Sequence, residues 1–252
     1  MSVVSFSDLH YSHKYPESKK VWKLFYNHPR VKSAKTIVLL GDIFDLMIGG
    51  KTQYIDYYQD FFEDLKSIIE NGQKVIYVEG NHDFHLERVF STFIKRYKLN
   101  KNLFDYKKDE FILTVEGVEV LFCHGDLVDS TNESFKKWKS IYRNKLFQFF
   151  TNRILPFFII KNVGEKASDD SKERNSRAFD YEKSKYLYRA GATLVLKDTE
   201  VKYLVAGHTH IIDNYNSEHG LYINNGFPLK DETFIEVDSS GCRLVSLMGS
   251  CE

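Results

Sequence analysis

The length, composition and charge of the chain exclude several classes of protein before any motif is considered. Its 252 residues, 42% of them hydrophobic, suffice to bury a sizeable core as one large domain. The 35 basic and 35 acidic residues cancel, so the net charge does not indicate nucleic-acid binding and no nucleic-acid partner is expected. Three cysteines without Cys-x-x-Cys spacing argue against disulfides and zinc–thiolate sites and favour a cytoplasmic location.

Targeting and membrane-spanning segments are not expected. The chain enters its first strand-like run at Val3, which leaves no room for a signal peptide. Its apolar runs are all much shorter than the ~20 residues that span a bilayer. We therefore expect a cytoplasmic protein that can associate with a membrane surface but does not cross it.

Strand-like and helical patterns alternate in the first half of the chain. Apolar residues at spacings of three and four predict an amphipathic helix from about Gln53 to Glu70, ended by Asn71-Gly72. The strand-like run KVIYVE follows, and a second helix is predicted from about Leu86 to Tyr97. The runs EFILTV and VEVLFC flank Glu116-Gly117 and predict a hairpin.

A long helix-compatible segment, from about Thr131 to Thr199, interrupts this alternation. We interpret it as a helical cap inserted into a single domain of residues 1–252. Between Lys136 and Lys166 it carries eight basic residues and one acidic residue, with Trp138 and the apolar run Ile154–Ile160 nearby. A helix pair that simply covers the sheet would explain this pattern, but we favour a basic, apolar lid for an amphiphilic anion or a membrane surface.

The end of the chain returns to short strand-like runs, LYINNG, TFIEVD and CRLVSL. Strands therefore occur in both parallel, helix-connected contexts and antiparallel, turn-connected contexts. This mixture predicts an α/β fold in which two mixed sheets pack together with helices outside them.

Five polar clusters each directly follow a strand-like run, so a folded sheet could bring them to one edge. They are Asp8-Leu9-His10, Asp42-Ile43-Phe44-Asp45, Asn81-His82-Asp83, His124-Gly125-Asp126 and His208-Thr209-His210. One such cluster alone is more often a turn or a satisfied polar pair. Five in this arrangement indicate a metal site that performs hydrolysis.

The donors suit two divalent ions. A pair held roughly 3.5–4 Å apart needs about seven protein donors, including a bridge. Asp8 and His10 suit one ion, Asn81 and His124 the other, and Asp42 can bridge because a carboxylate has two oxygens. Two carboxylates, each with one negative charge, do not neutralise two divalent ions, so the site stays positive. A positive site attracts phosphate and lowers the pKa of bound water. Mixed nitrogen and oxygen donors favour Mn, Fe or Zn over Ca or Mg.

The motifs D-x-H, GD-x-x-D, GNHD, H and GHTH resemble those of the calcineurin-like metallophosphoesterases over most of the chain. The resemblance implies a four-layer α/β/β/α sandwich and a dinuclear site. It also implies that His82 stabilises or protonates the phosphoryl transition state and that Asp83 or Asp45 orients His82. The implied ligand sets are Asp8, His10, Asp42 and His210 for one ion, and Asp42, Asn81, His124 and His208 for the other.

A narrower likeness concerns the substrate. The stretches SDLHYS, LLGDIFDLM and HGDLVD, with the helical insertion, are similar to the UDP-2,3-diacylglucosamine pyrophosphatases of the lipid A pathway. This likeness implies hydrolysis of a pyrophosphate bond at the inner membrane surface, with Mn²⁺ as the favoured ion and Fe or Zn as alternatives. The residues implied to contact substrate are Asn81, His82, Phe135, Trp138, Ser171 and Asn175.

Two other functions fit parts of the sequence. A phosphodiesterase or phosphatase for a soluble nucleotide or another phosphoester would keep the metal site and use the insertion as ordinary core. An interaction scaffold of the same fold would usually lack several of the seven ligands, all of which are present here. The sequence leaves the oligomeric state open.

Overall fold

The computed structural model describes residues 2–126, 128, 133–160 and 180–249, without the side chains of residues 134 and 135. The strands of these residues are β1 (Val3–Phe6), β2 (Thr36–Leu40), β3 (Met47–Ile48), β4 (Lys74–Val78), β5 (Asp83–Phe84), β6 (Phe104–Lys107), β7 (Phe111–Val115), β8 (Val118–Phe122), β9 (Tyr203–Ala206), β10 (Ile212–Ser217), β11 (Gly220–Asn225), β12 (Thr233–Asp238) and β13 (Gly241–Ser246). The helices are α1 (Pro16–Asn27), α2 (Pro29–Ser33), α3 (Gln53–Tyr57), α4 (Gln59–Glu70), α5 (Glu87–Arg96), α6 (Glu133–Tyr142), α7 (Lys145–Phe149), α8 (Tyr181–Thr199) and α9 (Pro228–Asp231).

Most of these strands belong to two mixed sheets, so the expected α/β class is confirmed. The first sheet has the order β13-β12-β1-β2-β4-β6 and the second the order β10-β11-β9-β8-β7. In the first, β1, β2, β4 and β6 are parallel, and β12 and β13 are antiparallel to their neighbours. In the second, β8, β9 and β11 are parallel, with antiparallel β7 and β10 outside them. The predicted hairpin is the β7–β8 pair.

The apolar core lies on both faces of the first sheet. Along β2, Val38 and Leu40 belong to a cluster shared with the second sheet, whereas Ile37 and Leu39 belong to a cluster shared with α1, α4 and α5. Because successive side chains of a strand point to opposite faces, a strand covered on both sides must be apolar throughout. This explains the uninterrupted run TIVLL in β2. The first sheet therefore lies between the helices on one face and the second sheet on the other.

Helix α8 covers the outer face of the second sheet. Its Ala192 and Leu196 are fully buried and share a cluster with Leu204 of β9. A Cβ on Gly191 would lie 1.9 Å from the carbonyl oxygen of Val128, so only glycine allows this close approach. Although α8 falls within the predicted 131–199 insertion, it packs as part of the core.

The predicted helix from Gln53 to Glu70 is two helices, α3 and α4. The backbone of Tyr58 leaves helical geometry between them, at φ −107° and ψ 38°. Tyr54 and Ile55 before the break and Phe61 and Phe62 after it are buried, so both helices still face the core. The second predicted helix is confirmed as α5.

Residues 133–160 contain α6, α7 and one turn of π-helix at Phe150–Ile154, and we refer to this part of the chain as the cap. Across all the described ranges, no helix combines the length and apolarity that crossing a bilayer requires.

Candidate metal centre

The polar clusters of the sequence meet where parallel strands of the two sheets end. Main-chain hydrogen bonds join neighbouring loops, because the Asp8 N–H donates to the Gly41 carbonyl at 3.2 Å and the Gly207 N–H to the His124 carbonyl at 2.9 Å. The His208 N–H connects the two sheets by donating to both carboxylate oxygens of Asp8, at 3.0 and 2.9 Å. The loops therefore form one structural unit.

Asp8, His10 and His210 form a first group whose ligand atoms lie within 4.8 Å of one another. The Nε2 atoms of the two histidines are 3.1 Å apart, and His210 Nε2 lies 3.5 Å from Asp8 Oδ1. Burial would raise the pKa of Asp8, but the hydrogen bond and charge of His210 outweigh burial and lower it. Asp8 is thus an ionised carboxylate facing two imidazoles, a donor set that fits a divalent transition metal.

Asp42, His124 and His208 form a second group of the same kind. His124 Nδ1 donates to the Leu40 carbonyl at 3.0 Å, which leaves Nε2 with the lone pair that a metal needs. That Nε2 lies 3.2 Å from Asn81 Oδ1 and 3.6 Å from Asp42 Oδ2. The structure thus brings together every ligand predicted for the second ion.

The pKa values of the two histidines of this second group are shifted in opposite directions. Burial would lower the pKa of His124, but the Asp42 carboxylate outweighs it and raises that pKa to about 10. The pKa of His208 falls to about 4 through burial and the charge of His124. Because metal ligation needs a neutral imidazole, a proton on His124 competes directly with a bound ion.

Five of the predicted ligands have left-handed backbones. The φ angle is 55° at Asp8, 50° at His10, 51° at Asp42, 70° at His208 and 55° at His210. Each such residue costs of the order of 1–3 kcal/mol and persists only where its surroundings enforce it. Strain concentrated at these residues is typical of a functional site.

Asp83 holds the loop that carries Asp42. Its carboxylate accepts from the N–H groups of Asp42, Ile43 and Phe44 at 2.9, 2.7 and 3.2 Å. It also accepts from the Gly80 N–H at 2.9 Å and from the Tyr77 hydroxyl at 2.6 Å. Burial, with the charge of Asp42, raises its pKa to about 7. Asp83 therefore fixes backbone geometry.

His82 is oriented by a backbone carbonyl. Its Nδ1 donates to the carbonyl of Asp45 at 2.8 Å, and its N–H donates to Asp42 Oδ1 at 2.8 Å. The ring is half-buried and meets the His10 ring edge-on, with centroids 4.9 Å apart. With Nδ1 occupied, Nε2 is the atom that can serve a substrate.

The cap reaches this centre through α6. The ring of Tyr142 stacks on Phe84, just beyond the GNHD loop, with centroids 4.5 Å apart, and Trp138 packs on Tyr142 at 5.8 Å. Lys139 forms an ion pair of 3.0 Å with Asp126, and both side chains are about 10% exposed. Trp138 itself is 39% exposed. Of the other predicted substrate contacts, Phe135 is described only by its backbone in α6, and Ser171 and Asn175 lie outside the described residues.

A cavity of about 590 Å³ lies beside His124, between α6, α8 and strands β7 and β8. Apolar side chains that include Phe111, Leu121, Val128 and Val195 line it. It is large enough and apolar enough to accept part of a small molecule.

The loop after β11 also contributes to the centre, which the sequence reasoning missed. Phe227 stacks on His210 with centroids 4.7 Å apart and meets His10 edge-on at 6.1 Å. Buried Asn225 lies 2.7 Å from Ser7 Oγ, which in turn lies 2.5 Å from Asp8 Oδ2. The signal was present in the run LYINNG, because its asparagines are polar residues at the end of a strand-like run, close to where the five clusters stand on theirs.

A two-sheet α/β fold with paired groups of carboxylate and imidazole donors is typical of metal-dependent hydrolases of phosphate esters. The family model for calcineurin-like phosphoesterases matches residues 1–211. The chain belongs to this family, whose members use divalent metal ions.

Several curated relatives share a more specific name. The UDP-2,3-diacylglucosamine hydrolase of Aliivibrio fischeri is 25% identical over 219 residues, covering 85% of this chain and 84% of that protein. The protein of that name from Psychromonas ingrahamii is 22% identical over 214 residues, covering 83% and 81%. Among solved structures, an archaeal phosphodiesterase is 12% identical with a TM-score of 0.48, covering 97% of this chain and 99% of that one.

Proposed function

We propose that this protein hydrolyses the pyrophosphate bond of UDP-2,3-diacylglucosamine, giving UMP and 2,3-diacylglucosamine 1-phosphate in lipid A biosynthesis. The observation that carries the proposal is the contact between the metal centre and an apolar, basic cap. A substrate with a pyrophosphate at one end and acyl chains at the other matches both parts. The names of the curated relatives point to the same reaction.

The cap has more exposed large apolar side chains than the rest of the described residues. In the described parts of the chain, thirteen large apolar side chains are exposed, and seven of them lie between residues 133 and 160. Those seven are Trp138, Ile141, Leu146, Phe149, Phe150, Ile154 and Phe158. The same segment has six basic residues and one acidic residue. Concentrated apolar surface with positive charge suits a lipid anion.

Two divalent ions are part of the proposal, with Mn²⁺ favoured. Asp8, His10, Asp42 and His210 would hold one, and Asp42, Asn81, His124 and His208 the other. Such ions attract the pyrophosphate and supply a hydroxide nucleophile at neutral pH. The buried, ionised Asp8 and the lone pair directed inward on His124 support this ligand set.

His82 is the proposed acid or electrostatic stabiliser of the reaction. Its Nδ1–H is held by the Asp45 carbonyl, so in the protonated ring Nε2–H is oriented to donate to the transferring phosphoryl group. Asn81 would contact the same phosphate. Trp138, and with it Phe135, Ser171 and Asn175, would bind the rest of the substrate.

We also propose that the protein works in the cytoplasm at the surface of the inner membrane. The exposed apolar and basic side chains of the cap support this location, since two such signals together hold a protein on an anionic bilayer. Sedimentation with vesicles that contain anionic lipid is the direct measurement.

The test of the reaction compares two substrates with purified protein and Mn²⁺. We expect release of UMP from UDP-2,3-diacylglucosamine and much slower release from UDP-glucosamine without acyl chains, because each buried CH₂ contributes ~0.8 kcal/mol. Equal rates on both would contradict the lipid assignment. Turnover confined to soluble phosphodiesters would instead support a phosphodiesterase with the same metal chemistry.

A further inference from the structure

Phe227 is a half-buried aromatic residue whose position is not explained by packing in the core. It belongs to none of the apolar clusters that the described residues form. Its ring instead stacks on that of His210, with 4.7 Å between centroids and 12° between planes, and meets the His10 ring edge-on at 6.1 Å. A large apolar side chain is thus placed against two predicted metal ligands.

Hydrogen bonds hold the ring of His210 less firmly than the rings of His82 and His124. The Nδ1 atoms of His82 and His124 each donate to a backbone carbonyl. Within the described residues, no such bond forms at His210 Nδ1, and this side chain is 41% exposed. Its Nε2 faces the other ligands of the first group. The plane of the ring is therefore set mainly by stacking on Phe227.

The backbone that carries Phe227 is fixed by bonds that its side chain does not make. Its N–H donates to Asp231 Oδ2 at 2.8 Å. Near the end of β11, buried Asn224 donates through Nδ2 to the Gly207 carbonyl at 2.7 Å. That bond ties the loop after β11 to the loop that carries His210. Both loops should therefore stay in place when only the aromatic ring is replaced.

Stacking of this kind favours the metal-bound form of His210. A ring that already has its bound orientation loses little rotational freedom when an ion binds. A coordinated imidazole also carries partial positive charge, which the face of an aromatic ring attracts. The energy of one stacked aromatic pair corresponds to a change of about 2–10-fold in affinity.

We propose that Phe227 is a positioning residue that holds His210 in the orientation that binds a metal ion. The inference deepens the proposed function and rests on its assignment of His210 to one of the two ions. Phe227 should act on that ion alone, because its ring contacts with histidines are confined to the first group. His124 and His208 of the second group are not among them.

The experiment titrates Mn²⁺ into metal-free protein by calorimetry, comparing the parent with Phe227→Leu and Phe227→Tyr. Leucine keeps an apolar side chain but cannot stack, so Phe227→Leu should weaken one of the two ions about 2–10-fold and leave the other unchanged. Phe227→Tyr should bind both ions like the parent, because a phenol ring stacks in the same way. Tyr186→Leu, which removes an exposed aromatic ring, is the matched control and should also bind like the parent.

A second measurement follows the histidine rings of isotope-labelled, metal-free protein by NMR. In Phe227→Leu the His210 ring should relax as a more mobile group, while the His124 signals stay where they are in the parent. Unchanged affinity for both ions, or an equal loss at both, would overturn the proposal. If Phe227→Leu does not fold, Phe227→Met carries the same comparison. Neither readout uses substrate, so a failed assay on UDP-2,3-diacylglucosamine would leave this result intact.

Discussion

The loops that carry the predicted metal ligands differ from the cap in the hydrogen bonding and burial of their side chains. In the loops, Asp83 accepts hydrogen bonds from several backbone N–H groups, Asp8 accepts from the His208 N–H, and both carboxylates are buried. In the cap, large side chains such as Leu146 and Phe158 are 69% and 63% exposed. Chemistry requires fixed geometry, whereas recognition of a flexible lipid tolerates looser surfaces. The difference predicts that substitutions in the loops affect turnover and those in the cap affect substrate choice.

The largest effect is expected for Asp42→Ala. Removing the proposed bridge also removes acceptors for the His82 N–H and a charge beside His124, so activity should fall by more than the about 10²–10⁴-fold that loss of one acid costs. Metal analysis should show at least one ion lost. Asp60→Ala, at an exposed carboxylate, is the control. Retention of both ions by Asp42→Ala would argue against the bridge.

His82→Ala should lower kcat about 10²–10⁴-fold while both ions remain bound. The reason is that the His82 ring bonds to the Asp45 carbonyl and offers Nε2 to substrate. Steady-state kinetics with parallel metal analysis distinguishes the two effects. His219→Ala, at an exposed histidine, should match the parent. An emptied site in His82→Ala would make this residue a ligand instead.

Lys139→Met tests the junction between the two regions. It leaves the Asp126 carboxylate buried without its ion-pair partner, and breaking a buried pair costs about 3–5 kcal/mol. Urea unfolding should show this loss, and the double variant with Asp126→Asn should recover most of it. Equal stability of parent and Lys139→Met would mean that the pair does not hold the cap.

The smallest effect is expected for Phe158→Ser in the cap. Losing about 1.4 kcal/mol of apolar contact should raise KM for the acylated substrate about tenfold. The rate on a short chromogenic phosphodiester should stay unchanged. Phe157, which packs on Tyr54 with centroids 4.9 Å apart, is unsuitable because its loss would disturb the core. An equal loss of kcat/KM on both substrates would show that the cap has no role in substrate selection.

The sequence allowed the two sheets and the grouping of the donors to be predicted, because both follow from local patterns. Runs such as TIVLL mark strands, and a polar cluster after each strand must lie at a sheet edge. The role of Asp83 could not be predicted, since it depends on five donors from separate parts of the chain. They are the Tyr77 hydroxyl and the N–H groups of Asp42, Ile43, Phe44 and Gly80. A motif shows which residues are near one another, but not which atoms they contact.

Three further differences between the sequence-based predictions and the structure have specific physical causes. The break at Tyr58 was not predicted because aromatic residues continue the apolar spacing through it. Helix α8 was assigned to the cap because its sequence is helical like the rest of the segment, and only its contacts with Leu204 show that it belongs to the core. Phe227 was missed because stacking on His210 joins residues from different loops.

The hydrogen bonds of the Asp83 carboxylate bear on how far the site is formed before ions bind. It binds the backbone of the Asp42 loop and of Gly80 without using a metal, and a Cβ on Gly80 would lie 2.2 Å from Asp42 Oδ1. The ion-binding site is therefore formed when the chain folds. Little ordering entropy remains to oppose ion binding, so protein stripped of its ions should keep its shape and gain thermal stability in proportion to the logarithm of the free metal concentration.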